Sequence, residues 1–337
     1  MRWLGLTDEP TIKVYHGYGH AQMLTLYGHA FRLSTLPRRK YRKSFVRNTW
    51  ALLRLFIVKP FADLEVSLDW NGRIYTARTD SDGFFKFDWE DERPVGQGWH
   101  PVVVQALRNG AAIARGEGEV YIPYHTQYGF ISDIDDTFLI SHSSNLRKRL
   151  FVLFTENARS RKPFEGVVRH YQLLAQSNTT AEAPNPFFFV SSSEWNLYDY
   201  IVEFANSNKV PRGIYLLNQL KRFSQLLKTG QNNHQTKFTR IVRILEHYPE
   251  QKFVLLGDSS QQDPYIYEAI VSHFPRQIYA VYIRNVAPAK EADVRVALEK
   301  IRAQGIPYCF FANSSEAISH SATIGLIASA ALEQVQS

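Results

Sequence analysis

The stretch Phe130-Ile131-Ser132-Asp133-Ile134-Asp135-Asp136-Thr137 runs an apolar segment into three acids and a threonine. Asp133 and Asp135 are two residues apart, so in an extended backbone their carboxylates share one face. Carboxylates crowded together repel, and the arrangement is tolerated when a divalent cation neutralises them or when one holds a proton. Three later positions join them in order. Phe187–Val190 is an apolar run ending at Ser191. Lys237 opens a segment in which Phe238, Ile241, Ile244 and Leu245 recur at helical spacing. Phe253–Leu256 runs into Gly257-Asp258, with Asp263 five residues on. The intervals are 58 residues from Asp133 to Ser191, 46 to Lys237 and 21 to Asp258. Each signal alone is weak, since an acid or a serine after a strand is as often a helix cap. Together they offer carboxylates for nucleophilic and proton-transfer work, and a hydroxyl and an ammonium for phosphoryl oxygens.

Those residues need elements to hold them. After Tyr128 short apolar runs alternate with helical patterns: Phe130–Ile134, Phe187–Val190, Ile214–Leu217, Phe253–Leu256, Ile278–Ile283 and Pro307–Phe311 read as strands. Leu146–Asn157, Phe164–Ala175, Leu197–Ala205, Thr236–His247, Pro264–Phe274 and Ala289–Ala303 read as helices. That alternation predicts a parallel sheet covered on both faces, whose carboxyl edge is where ligands bind. Before Tyr124 the pattern is mostly β. Leu64–Trp70 alternates apolar and polar residues, Asn71-Gly72 is a hairpin turn and Arg73–Thr79 a return strand. Phe84–Trp89 alternates again, and Pro101–Leu107, Asn109-Gly110 and Ala111–Ala114 make another hairpin. Short strands at this spacing predict a β-sandwich. One segment at about 38–57 breaks the pattern: Phe45, Val46, Trp50, Leu53 and Phe56 recur at helical spacing among basic residues, a basic amphipathic helix.

The constellation resembles the haloacid dehalogenase superfamily of phosphatases, and more narrowly the actin-patch-type phosphatidate phosphatases, relatives of the lipins. Asp133–Thr137, Val190–Tyr198, Gly257–Tyr267 and Tyr282-Ile283-Arg284 carry the likeness. Two departures stand beside it: Ser193-Glu194-Trp195 in place of Ser-Pro-Trp, and Asp258-Ser259-Ser260-Gln261 in place of Asp-Ser-Gly-Gln. The resemblance implies an α/β fold, a Rossmann-like haloacid-dehalogenase parallel sheet with helices on both faces, preceded by a smaller β-sandwich domain. The expected domains are a transthyretin-like sandwich over 1–125 with the helical insertion at about 38–57, a phosphatase domain over 126–320 and a tail over 321–337. It implies Mg²⁺ as cofactor. Asp133 is the expected nucleophile and Asp135 the acid–base. Asp133, Asp135 (through its backbone carbonyl), Asp258 and Asp263 are the expected metal residues, Asp263 through a metal-bound water or by orienting Lys237. Ser191 and Lys237 would bind the transferring phosphoryl group, and Thr137, Ser192 and Arg284 would line the substrate site. Lys221 and Lys228 are alternatives to Lys237.

Composition limits the partners. The 337 residues carry 39 Lys plus Arg against 32 Asp plus Glu, a net charge of +7, which favours anionic partners. The expected substrate is phosphorylated, with anionic lipid first and nucleic acid less favoured. The 38–57 helix has two readings: a membrane-surface helix that would make the chain peripheral to a membrane, or a helix packed on the sandwich with a solvated basic edge. No uncharged apolar run approaches the roughly 18 residues that span a bilayer. Cys309 is the only cysteine, which excludes an internal disulfide and a multi-cysteine zinc site. Met1–Pro10 does not read as a signal peptide, so a cytoplasmic location is expected. Two further functions stay open: a phosphatase of a protein, nucleotide or nucleic-acid end, and a non-catalytic scaffold.

Overall fold

The computed structural model describes residues 6–20, 22–33, 59–93, 95–126, 128–134, 166–218 and 233–328. The amphipathic segment at 38–57, the helix expected over Leu146–Asn157, Asp135, Thr137, Lys221 and Lys228 lie outside the described residues. Two compact units part between Pro123 and Tyr124.

The first unit contains strands β1 (Leu6–Val14), β2 (Gly17–His20), β3 (Met23–Leu33), β4 (Glu65–Trp70), β5 (Arg73–Arg78), β6 (Phe84–Trp89), β7 (Gly98–Arg108) and β8 (Ala111–Ile122). They form one hydrogen-bonded sheet in the order β1-β3-β2-β8-β7-β4-β5, with β6 paired to β3. Both expected hairpin turns are present. Asn71 and Gly72, and likewise Asn109 and Gly110, take positive φ between the closing pairs Trp70↔Arg73 and Arg108↔Ala111. Two successive positive φ values match the right-handed twist of the flanking strands, and Asn-Gly supplies them at the least steric cost. Alternate residues of the strands turn inward and build one apolar cluster, including Leu24, Leu26, Val66, Leu68, Phe85, Phe87, Val104 and Val120. The ring of Tyr75 on β5 meets that of Trp89 on β6, at 5.9 Å between centroids, so the sheet curls until these two strands approach over the core.

The second unit contains β9 (Tyr128–Asp133), α1 (Val167–Ala175), β10 (Phe187–Glu194), α2 (Tyr198–Ser207), β11 (Ile214–Asn218), α3 (Asn233–His247) and β12 (Lys252–Asp258). It continues with α4 (Asp263–His273), β13 (Ile278–Arg284), α5 (Glu291–Ala303), β14 (Tyr308–Phe311) and α6 (Ser314–Thr323). The sheet runs β11-β10-β9-β12-β13-β14, and every pairing is parallel. Phe187–Val190 and Phe253–Leu255 are wholly buried, as strands covered on both faces must be. The chain leaves β9 in one direction to β10 and β11, then returns past it to β12. With right-handed crossovers this puts α1 and α2 on one face and α3, α4 and α5 on the other. The contacts agree: α3 touches α4 and α4 touches α5, whereas α1 touches α6. The strand order therefore reverses between β9 and β12, and a crevice opens there at the carboxyl ends. Packing runs past residue 320, where the sequence suggests a tail. Ser321, Leu326 and Ile327 are buried, and the Tyr279 hydroxyl donates to the Ile324 carbonyl at 2.6 Å.

His29 gives the first unit an acid sensitivity. It is buried against Phe31 and Phe84, with its Nδ1 3.0 Å from the Tyr15 hydroxyl, and burial pulls its pKa down to about 3 from an ordinary 6.5. The folded imidazole stays neutral where an unfolded one takes up a proton. Its contribution is therefore complete above pH 6.5 and is lost as pH falls toward 3. The slope inside that window is about 1.4 kcal/mol per pH unit for one group. His29→Gln should flatten the dependence of the urea midpoint on pH between 6.5 and 4, and an unchanged slope would assign the acid loss to other groups.

Candidate active site

Four buried charges meet at the crevice. Asp133 is the last residue of β9 and Asp258 the last of β12, the two strands that flank the reversal. Asp263 opens α4, with Pro264 at the helix start where a missing N–H costs nothing. Lys237 stands near the amino end of α3. Asp133, Asp258 and Asp263 are fully buried and Lys237 is 2% exposed. The Lys237 Nζ donates to Asp133 Oδ1 at 2.7 Å and also to Asp263 Oδ1. Burial alone would lower the ammonium's pKa, but the Asp133 and Asp263 carboxylates outweigh it and raise it, so the lysine is charged.

One oxygen from each of the three carboxylates lies within 4.8 Å of the others. Lys237 pairs with two of the three, Asp133 and Asp263. The clustered, all-oxygen donor set fits a hard divalent cation such as Mg²⁺, which is bound by a few carboxylates and keeps several waters. Asp133 and Asp258, from adjacent strands, are the residues placed to hold it, with Asp263 shared between the cluster and Lys237.

Neighbouring groups fix these side chains. A Cβ on Gly257 would lie 2.6 Å from Asp263 Oδ2 and 2.9 Å from Tyr267 Cε2, so only glycine lets the Asp263 carboxylate reach β12. The Tyr267 hydroxyl donates to the Leu256 carbonyl at 2.9 Å. Burial first, then the Asp263 and Asp133 charges, keep that phenol protonated. Ser132 Oγ donates to the Asp133 carbonyl at 2.8 Å and lies 2.7 Å from the Tyr171 hydroxyl on α1. The loop after β12 is tied to the loop after β13. Ser259 Oγ accepts from the Val286 and Ala287 N–H groups at 3.0 and 2.9 Å, and the Ser260 N–H donates to Asp258 Oδ1.

The structure thus brings Asp133, Lys237, Asp258 and Asp263 together, with Lys237 on Asp133; the alternatives Lys221 and Lys228 lie outside the described residues. Ser191 is buried on β10 just beyond Val190, which pairs with Asp133. The backbone of Ser192 continues β10. Arg284 stands at the carboxyl end of β13 opposite Asp258, but its Nη2 donates to Ser314 Oγ at 2.6 Å and its Nη1 to the Ala312 carbonyl at 3.1 Å. Those contacts anchor the start of α6, while the guanidinium also feels the Asp258 charge. Sequence reasoning missed Gly257, Tyr267, Ser132, Tyr171, Ser259 and Arg240. Ser132, Gly257, Ser259 and Tyr267 lie inside the motif stretches, and Arg240 lies three residues after Lys237 on the same helical face, but none of these placements reveals what the side chain touches.

Residues 128–285, which contain all four clustered charges, match the family model described as phosphatidate phosphatase APP1, catalytic domain. The described residues of the matched stretch all lie within the second unit, which is thus similar to this family over its catalytic domain. Phosphatidate phosphatase APP1 of Saccharomyces cerevisiae is 32% identical over 157 residues, 46% of this chain and 25% of the yeast protein. An uncharacterized protein of Schizosaccharomyces pombe is 24% identical over 187 residues, 55% of this chain and 29% of its own length. The aligned parts are thus only a quarter to a third of these relatives. The APP1-type match runs from β9 to the end of β13, so it takes in both strands at the reversal and the α3 and α4 residues that face it.

Lys237→Met would leave Asp133 and Asp263 buried without their cation. Removal of one partner from a buried pair costs roughly 3–5 kcal/mol, so urea denaturation in metal-free buffer should show a loss of that order. A loss below about 1 kcal/mol would show that the carboxylates are protonated or solvated instead. Gly257→Ala should impair activity while leaving secondary structure intact, because its Cβ displaces Asp263.

Proposed function

We propose that the chain is a Mg²⁺-dependent phosphomonoesterase acting through an aspartyl-phosphate, with phosphatidate the leading substrate. The observation that carries this is Lys237 held between Asp133 and Asp263 beside Asp258. Phosphate-monoester hydrolysis is among the slowest uncatalysed reactions, so charge stabilisation must supply most of the acceleration. An Asp133 oxygen attacks phosphorus as the ester P–O bond breaks. The carboxyl of Asp135, assigned from the motif, gives its proton to the departing alkoxide. Water then attacks the aspartyl-phosphate, Asp135 recovers a proton, and inorganic phosphate leaves with Asp133 restored. Lys237 and the Ser191 hydroxyl bind phosphoryl oxygens, and Asp263 keeps Lys237 aimed. A bound Mg²⁺ would supply positive charge to the phosphoryl oxygens.

The unit is read as a haloacid-dehalogenase-type Rossmann fold, which its 3-2-1-4-5-6 strand order supports. The first unit is read as a transthyretin-like sandwich without a catalytic role. The lipid assignment rests on the names of the family model and of the yeast relative, and on the net charge of +7. Among the described residues no helix is long and apolar enough to cross a membrane. Contact with a lipid surface would therefore be peripheral, and a cytoplasmic location remains part of the proposal.

The test is phosphate release from phosphatidate in mixed micelles, with and without Mg²⁺. Release should require the metal and fall by at least ~10³-fold in Asp133→Asn. Metal-dependent hydrolysis of an aryl phosphate without lipid turnover would keep the catalytic residues and discard the lipid. Inactivity on both would leave a binding protein.

A further inference from the structure

Strand β10 breaks step with its neighbour where the site begins. Val190 pairs with Leu216 on β11, and the next pairing is Glu194 with Asn218. Four residues along β10 therefore span two along β11, and Ser191, Ser192 and Ser193 bulge from that ladder. On the other side the pairing with β9 ends at Val190↔Asp133. The Ser191 carbonyl therefore sits where the register of the ladder shifts. It accepts from Arg240 Nη1 at 3.2 Å, while Arg240 Nη2 donates to Asn218 Oδ1 at 3.1 Å. One guanidinium spans the bulge, gripping its first residue and the β11 residue at which pairing resumes.

Bulges beside sites re-aim a side chain, and an unpaired backbone stretch is pliable unless something outside the ladder fixes it. Arginine suits this task because its planar fork holds two acceptors at once. Arg240 also lies one turn after Lys237 on α3. The helix that places the ammonium on Asp133 therefore also fixes the strand end that presents Ser191. We infer that Arg240 is a positioning residue that sets the Ser191–Ser193 bulge so that it grips the transferring phosphoryl group. The inference rests on the phosphatase reading above. Arg240 acts through Ser191, whose carbonyl it holds, whereas Asp133 and Asp263 are held by Lys237. Its loss should weaken phosphate recognition and leave the cation site alone.

The experiment measures kcat and KM for an aryl phosphate, the inhibition constant of inorganic phosphate, and the Mg²⁺ concentration for half-maximal rate. Inorganic phosphate binding is also followed by calorimetry, which needs no turnover. Arg240→Met should raise KM and weaken phosphate binding by about tenfold, the factor that ~1.4 kcal/mol of lost binding produces. The Mg²⁺ requirement should not move. Arg240→Lys, which reaches one acceptor and not both, should fall between wild type and Met. Should Arg240→Met fail to fold, Asn218→Ala removes the other anchor and should shift KM in the same direction. A KM and phosphate affinity equal to wild type in both Arg240→Met and Asn218→Ala would overturn the inference, as would a loss confined to thermal stability. A wild-type chain that neither hydrolyses aryl phosphate nor binds phosphate would overturn the phosphatase reading itself, and the inference with it.

Discussion

The pairing of Lys237 with Asp133 and Asp263 is the interaction around which the second unit is organised. Its two carboxylates and one ammonium, with the Asp258 carboxylate beside them, are withdrawn from water, and such charges are tolerated only when geometry and counter-charge are right together. Four elements must register for that to happen. The ends of β9 and β12 supply Asp133 and Asp258, and the starts of α3 and α4 supply Lys237 and Asp263. A doubly wound sheet gathers strand ends and helix starts along one edge, and the reversal of strand order leaves a crevice there. The fold and the charge cluster are thus two sides of one constraint.

Much of the local structure at this edge serves to keep other groups out of the cluster's way. Gly257 removes a Cβ that would strike Asp263. Tyr267 and Ser132 satisfy the carbonyls of Leu256 and Asp133, and Ser259 ties the two loops that bound Asp258. At β10 the regular ladder gives way to a bulge held from outside by Arg240.

The sequence was most legible where chemistry and periodicity coincide. Apolar runs that end in Asp133, Ser191 and Asp258 announce both a buried strand and the residue at its tip, and the helical face of Phe238, Ile241, Ile244 and Leu245 locates Lys237. The two Asn-Gly turns were readable because so few residues take positive φ. Less could be read where the determining fact is a pairing. Strand register is not written in composition, so the bulge at Ser191 and the role of Arg240 were invisible. Gly17-Tyr18-Gly19 and the neighbouring histidines hid β2, although Tyr18 is buried and pairs with Thr25 and Tyr121. Helix α6 escaped because its buried face is made of Ser314, Ala317, Ile318 and Ser321, mostly small residues with little apolar contrast.

Three buried carboxylates gathered at one point make a direct demand: a divalent cation should complete the cluster. Calorimetric titration of the metal-free chain with Mg²⁺, alongside Asp258→Asn, measures this without reference to any substrate. The account predicts one saturable site in the wild type and its loss in the variant, which removes one charge without removing volume. Equal binding by both chains, or none by either, would contradict the claim that Asp133, Asp258 and Asp263 form a cation site.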